Sequence, residues 1–321
     1  MKQTLWSQIL LVAVLACALT AQAEDYPNKP IKIIVPFTPG GGTDRIARVV
    51  AERLQKKWGQ PVTVENRGGA GGNIGAELVW KSAPDGYTLL VSSPGPLALN
   101  RTLYPKLPYD SDSFVPISLM ATTPFVLTVP QKAPADSLQK LISFAKANPN
   151  RLNYATGGGG TSSHLAGELF KSMASVKIVH VPYKGTSPAV TDLIGGQVDM
   201  LFVEFGTAQQ HVLTGKLRAL AIGSEKRNPL LPNVPTVSEA LPGFLAVTWH
   251  GMVAPPKTPP AIANALSAAV AEALKEPDVA KRLLELSIEP VGSNPSELAE
   301  FLKQESGRWG NVIRVTGTVM E

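Results

Sequence analysis

Two stretches of this chain repeat one arrangement: a short apolar strand, a turn, and an amphipathic helix that leads into the next strand. In the first stretch, Ile31-Lys32-Ile33-Ile34-Val35 is almost wholly apolar and β-branched, which marks a strand buried in a parallel sheet. Residues 36–42 turn the chain. Thr43 is placed to cap a helix on which Ile46, Val50 and Leu54 share one face. Gly59-Gln60-Pro61 stops that helix, and a second strand follows over residues 62–65. A loop over 66–72, a helix over 73–82, the turn Pro84-Asp85-Gly86 and a strand over 87–91 complete the unit. Helical crossovers between parallel strands are right-handed, so the pattern predicts a doubly wound α/β sheet.

The second stretch repeats it, with strands expected over 125–129, 152–155, 177–181, 198–203 and 217–222. Helices are expected between them over 137–147, 162–172, 188–194 and 207–213. A proline-rich segment over 228–235, an extended piece over 246–254 and amphipathic segments over 261–274, 277–286 and 295–309 follow. At 321 residues the chain suits two domains better than one. No low-complexity linker separates the units, so the chain is expected to cross between them near residues 120–125 and 225–230. The predicted division is residues 24–124 with 226–321 in lobe 1 and 125–225 in lobe 2, the two lobes facing each other across a cleft. Ligands of open α/β sheets bind beyond the carboxyl ends of the strands, where such a cleft lies.

The N-terminal residues 1–23 read as a secretory signal peptide. Lys2 precedes an apolar run from Ile9 to Leu19, and Ala21-Gln22-Ala23 offers a small-x-small cleavage site before Glu24. An uncleaved anchor, or lipid attachment at Cys17 in Val14-Leu15-Ala16-Cys17, are the alternatives. Cys17 is the single cysteine, so a thiolate zinc site, an iron–sulfur cluster and an intrachain disulfide are excluded. The 30 basic and 25 acidic residues leave a formal charge of +5 with no concentrated basic face, which argues against nucleic-acid binding.

The 28 glycines are concentrated. Gly40-Gly41-Gly42 and Gly157 to Gly160 each lie between the end of a strand and the start of a helix. Unpaired N–H groups and the helix dipole favour an anion at such a place, and bare backbone lets it approach. Neither run is followed by the Lys-Ser/Thr of a phosphate-binding loop, and neither matches the dinucleotide fingerprint. Facing each other across a cleft, they would clamp a carboxylate or other small oxyanion. The bland alternative is a pair of tight turns.

Catalytic constellations are lacking. His164, His180, His211 and His250 form no zinc-binding pair, and there is no Gly-x-Ser-x-Gly elbow. Neither an enzyme activity nor a cofactor is predicted. Asp44 and His164 each stand in the first turn after a glycine loop, as ligand contacts or as structural residues. Glu204 ends a strand and either enters the cleft or is solvated. Arg67 and Lys184 are loop cations. Ser92 and Ser93, after the third strand, are candidates from the switch-point rule.

The run Pro36-Phe37-Thr38-Pro39-Gly40-Gly41-Gly42-Thr43-Asp44-Arg45 resembles the first-loop motif of the Bug-type receptors, the extracytoplasmic solute receptors of tripartite tricarboxylate transporters. Further matching stretches are Glu65-Asn66-Arg67, Pro84-Asp85-Gly86-Tyr87, Gly160-Thr161-Ser162-Ser163-His164, Val181-Pro182-Tyr183-Lys184-Gly185 and Trp249-His250-Gly251. Gly42 departs slightly, standing where another small residue is often found.

The resemblance implies a type II periplasmic-binding-protein fold that closes by a hinge. In this family two loops hold one carboxylate, largely through backbone amides. By position these are Phe37, Gly40, Gly41, Gly42, Thr43 and Asp44 in the first loop, and Gly158, Gly159, Gly160, Thr161, Ser162 and His164 in the second. The implied role is a monomeric periplasmic receptor that captures a small organic anion for membrane permease subunits. A ligand-loaded sensor that docks on a signalling receptor is the alternative.

Overall fold

A computed structural model describes residues 26–183 and 185–318. The signal-peptide expectation, Cys17 and Lys184 lie outside the described residues. Strand β1 (Ile31–Val35) pairs in parallel with β2 (Val62–Asn66) and β3 (Thr88–Ser92). Helix α1 (Gly42–Trp58) links β1 to β2 and ends on Gly59, whose φ of 66° is left-handed, as glycine permits. Ile46, Val50 and Leu54 are fully buried against Ile31 and Ile33. Burying a side chain of that size contributes roughly 1.5–3 kcal/mol, so this stripe holds α1 against the sheet. Helix α2 (Asn73–Trp80) links β2 to β3.

The spine of the molecule is β4 (Val115–Pro130), 16 residues in one strand. Its first part pairs antiparallel with β9 (Val247–Ala254), and its second part with β7 (Met200–Glu204) and β8 (Leu217–Ile222). The main path of the sheet runs β2-β1-β3-β9-β4-β7-β5-β6, with β8 paired to β4 off this path and β5 (Asn153–Thr156) and β6 (Val179–Pro182) parallel to each other. The sequence pattern predicts only residues 125–129 of β4. Pro116 and Pro124 interrupt the pattern, and register shifts beside Pro116 and after Leu119 absorb the disruption on the first-lobe side.

Lobe 2 carries α3 (Leu138–Ala147), α4 (Ser162–Ala174), α5 (Thr186–Ile194) and α6 (Phe205–Leu213). Val237, Phe244 and Ala246 pack in the core of this lobe with Phe170 and Phe202. The return crossing therefore lies at Ala246, and not near residue 226 as the sequence pattern suggests. The proline-rich segment belongs to lobe 2 because its apolar residues cover that lobe's sheet. Three strands of chain meet at the crossing, where Gly223 N–H donates to Phe125 O (2.7 Å), Ala246 N–H to Gly223 O (2.8 Å) and Phe125 N–H to Ala246 O (3.2 Å). A β-carbon on Gly223 would stand 2.4 Å from Ala246 O, so this close passage requires glycine.

Helices α7 (Pro260–Lys275) and α8 (Pro277–Glu285), the two-residue β10 (Glu289–Pro290) and α9 (Pro295–Thr316) complete lobe 1. Helix α9 runs past the expected end at Trp309. Glu305 accepts from the indole N–H of both Trp249 (2.8 Å) and Trp309 (3.0 Å), and Arg308 donates to Leu245 O (2.8 Å). These bonds and the contact of α9 with α4 carry the helix through Gly307 and Gly310. Together the sheets and helices form a two-lobed α/β architecture.

Candidate functional site

The carboxyl ends of β1, β3, β5 and β7 converge on a cleft of about 520 Å³ between the lobes. Phe37, Gly40, Gly41, Gly42, Thr43 and Asp44 line it from lobe 1. Gly159, Gly160, Thr161, Ser162 and Glu204 line it from lobe 2, and Ser93 also reaches it. Residues of both glycine loops thus line one space.

Their internal chemistry differs. In the first loop, Asp44 is buried and its carboxylate is fully engaged. It accepts from Gly40 N–H (2.9 Å), Arg48 Nε (3.0 Å) and Asn66 Nδ2 (3.0 Å). Burial raises its pKa, but the bonds from Arg48, Gly40 and Asn66 outweigh that and hold it below the usual carboxylate range. Thr43 Oγ1 lies 3.2 Å from His250 Nδ1. No side chain caps α1 at Gly41, and Gly41, Gly42 and Thr43 line the cleft, so first-turn N–H groups that lack a capping side chain stand beside it, with Asp44 the acid of that turn. A β-carbon on Gly41 would meet nothing closer than Thr38 O at 3.9 Å.

In the second loop most donors already have partners. Gly157 N–H donates to Ser163 Oγ (3.2 Å), Gly158 N–H to Thr156 Oγ1 (3.2 Å) and Gly160 N–H to His164 Nδ1 (3.0 Å). Thr161 caps α4 by accepting from His164 N–H, and its own hydroxyl donates to Gly158 O at 2.8 Å. Behind the loop, His164 stacks on His180 with ring centroids 4.0 Å apart, and His180 stacks on Tyr154 at 4.9 Å. Burial lowers the pKa of His164, and Glu168 opposes the shift without reversing it. Burial, then the neighbouring His164, push His180 down to about 4.

Three candidate contacts therefore stand behind the wall of the cleft. Ser92 is fully buried and turns its hydroxyl to Ser93 O. His164 holds the loop from inside, and Gly158 does not line the space. Asp44 lines the cleft, yet its carboxylate serves the loop. Arg67 pairs with Glu65.

The sequence reading missed Asn100 and Tyr104 in lobe 1 and Thr186 and Ser187 in lobe 2, all of which line the cleft. Asn100 Nδ2 donates to Gly71 O (3.1 Å) and so ties the short helix Asn100–Leu103 to the turn between β2 and α2. Thr186 and Ser187 open α5, which Gly185 precedes without a side-chain cap. The Gly185-Thr186 step was the signal available in sequence. Among the described residues no group of three or more His, Cys, Asp or Glu side chains could hold a metal ion. No helix among them is long and apolar enough to cross a membrane.

The model of the tripartite tricarboxylate transporter family receptor matches residues 46–318 of the chain. Protein BugT of Bordetella pertussis is 41% identical over 315 residues, which cover 97% of each chain. Among solved structures, R. palustris Rpa4515 with adipate is 37% identical with a TM-score of 0.85, covering 91% of this chain and 99% of that one. MatC from Rhodopseudomonas palustris with bound malate is 36% identical with a TM-score of 0.81, covering 90% of this chain and all (100%) of the other.

Proposed function

Because this chain belongs to the receptor family of the tripartite tricarboxylate transporters, a family of periplasmic solute-binding receptors, we propose that its cleft captures a small organic carboxylate and presents it to permease subunits. One observation supports this most: the start of α1 is uncapped and open to the cleft at Gly41. Backbone N–H groups and a helix dipole then meet the anion without a cluster of cations. Loop 2 closes from the other side, so hinge closure about the crossing at Phe125, Gly223 and Ala246 completes the enclosure. Solved relatives with adipate and malate favour the same ligand class. The proposal includes export by the N-terminal signal, action as a monomer, and no chemical change of the ligand.

Titration calorimetry of the mature protein against aliphatic dicarboxylates, hydroxy acids, amino acids and aromatic acids tests the reading. Saturable one-to-one binding with unchanged ligand recovered afterwards is expected. Conversion of the ligand, or binding of none of these classes, would overturn it. Uptake of the best ligand by cells with and without the gene then tests delivery.

A further inference from the structure

Glu204 is the one acid of the cleft whose carboxyl has been left without a role. It ends β7 at the start of α6 and is part-buried beneath loop 1. No hydrogen bond supports its carboxyl among the described residues; burial pushes its pKa up to about 7, and only the charge of Arg45, which lines the same cleft, acts the other way. Its position is set closely. The point that a β-carbon on Gly42 would occupy lies 2.9 Å from Glu204 Oε2 and 3.2 Å from His250 Nε2. His250 is fully buried, its Nε2 has no partner, and burial pushes its pKa down to about 4. An uncharged imidazole there does not neutralise the acid.

The consequence follows from proximity. Glu204 Oε2 lies within a few ångströms of the first turn of α1, where the carboxylate of a ligand is held in the reading above. Two carboxylates that close cannot both stay ionised unless a positive or hydrogen-donating group stands between them. A plain acid has no such group and would force Glu204 to take up a proton. A 2-amino or 2-hydroxy acid carries a donor two bonds from its carboxylate carbon. With the carboxylate seated on the loop-1 amides, such a ligand can turn that donor toward Glu204 Oε2, which lies close to Gly42.

We propose that Glu204 makes this receptor selective for carboxylates that bear an ammonium or hydroxyl group on the adjacent carbon, accepting a hydrogen bond from that group. This rests on the carboxylate-binding reading and adds the substituent that the ligand must carry.

The test uses matched sets with one skeleton each: succinate, malate and aspartate; adipate, 2-hydroxyadipate and 2-aminoadipate. Titrations of the wild-type chain and of Glu204→Gln are run at pH 7 in two buffers of different ionisation heat. The donor-bearing member of the better set should bind at least about tenfold more tightly than the plain acid, the size of one charge-assisted hydrogen bond. The amino acid should release protons on binding, because it favours ionised Glu204. In Glu204→Gln the preference should shrink to about threefold or less and the proton release should vanish. The isosteric amide keeps the volume, and unchanged melting of the variant at pH 5 confirms that it folds. Plain acids binding as tightly as their substituted partners, or a preference untouched by Glu204→Gln, would overturn the inference while leaving carboxylate binding intact. Binding of no member of either set, nor of aromatic acids, would overturn the carboxylate reading and this inference with it.

Discussion

The two glycine loops are alike in sequence and placement, each at a strand's carboxyl end and at a helix start, yet their donors are used differently. Loop 1 is held from its flank: Asp44 engages Gly40, Arg48 and Asn66, and the start of α1 stays uncapped. Loop 2 is held from within, because Ser163, Thr156, His164 and Thr161 satisfy the donors at Gly157, Gly158, Gly160 and His164. Glycine at a helix start is thus not one device. In loop 1 it leaves the helix start uncapped beside the cleft, and in loop 2 it lets the chain turn tightly onto its own side chains. Loop 2 then forms a preset wall whose hydroxyls and Gly159 would meet the ligand if the cleft closes as proposed, and α5 brings a second uncapped helix start to the cleft.

The sharpest way to break this comparison is a bulky side chain in each loop. Gly41→Val should lower affinity about a hundredfold, the loss expected of one or two charge-assisted hydrogen bonds. Apo melting should hardly move, because the space beside Gly41 is open. Gly159→Val should cost about tenfold or less. Equal losses measured by calorimetry would mean that both loops hold the anion alike.

Asp44→Asn comes next. It removes a buried carboxylate from Arg48, Asn66 and Gly40, so both stability and affinity should fall, the latter about tenfold. The loss should be the same for plain and substituted acids, since Asp44 serves the loop. A larger loss for donor-bearing ligands in calorimetry would instead place Asp44 on the ligand.

The smallest effect is on pH. His164 accepts from Gly160 only while Nδ1 carries no proton. Its folded pKa is lowered, so the stability it contributes is complete above its ordinary value near 6.5. That contribution is lost as pH falls through the lowered value, with His180 following at about 4. Asp44, also lowered, holds loop 1 until pH falls below the usual carboxylate range. Amide hydrogen exchange should therefore show Gly160 losing protection at a higher pH than Gly40. Simultaneous loss, after correction for intrinsic exchange, would remove the distinction between the loops.

Much of the fold was legible because strand and helix periods follow local rules: β1 and β8 match their expected spans, and α1 and α5 lie within a few residues. Strand β4 was half hidden because Pro116 and Pro124 read as breaks, while its pairing with β9 tolerates them. The return crossing was misplaced because what binds the proline-rich segment to lobe 2 is tertiary, through Val237 and Phe244. In the site, glycine and Ser/Thr spacing showed where bare backbone lies. It did not show which donors are already engaged, because that depends on side chains folded back from the helix, such as Asp44 and His164. Asn100 and Tyr104 carry no local signal of their position and reach the cleft only through packing.

The central claim is that the ligand's carboxylate rests on the open start of α1. A crystal structure of the mature protein closed on its tightest ligand from the titrations tests it directly. A carboxylate oxygen should lie about 3 Å from backbone nitrogens of Gly41, Gly42 or Thr43. A carboxylate held instead by Arg45 or by loop 2 alone, with the start of α1 unoccupied, would contradict it.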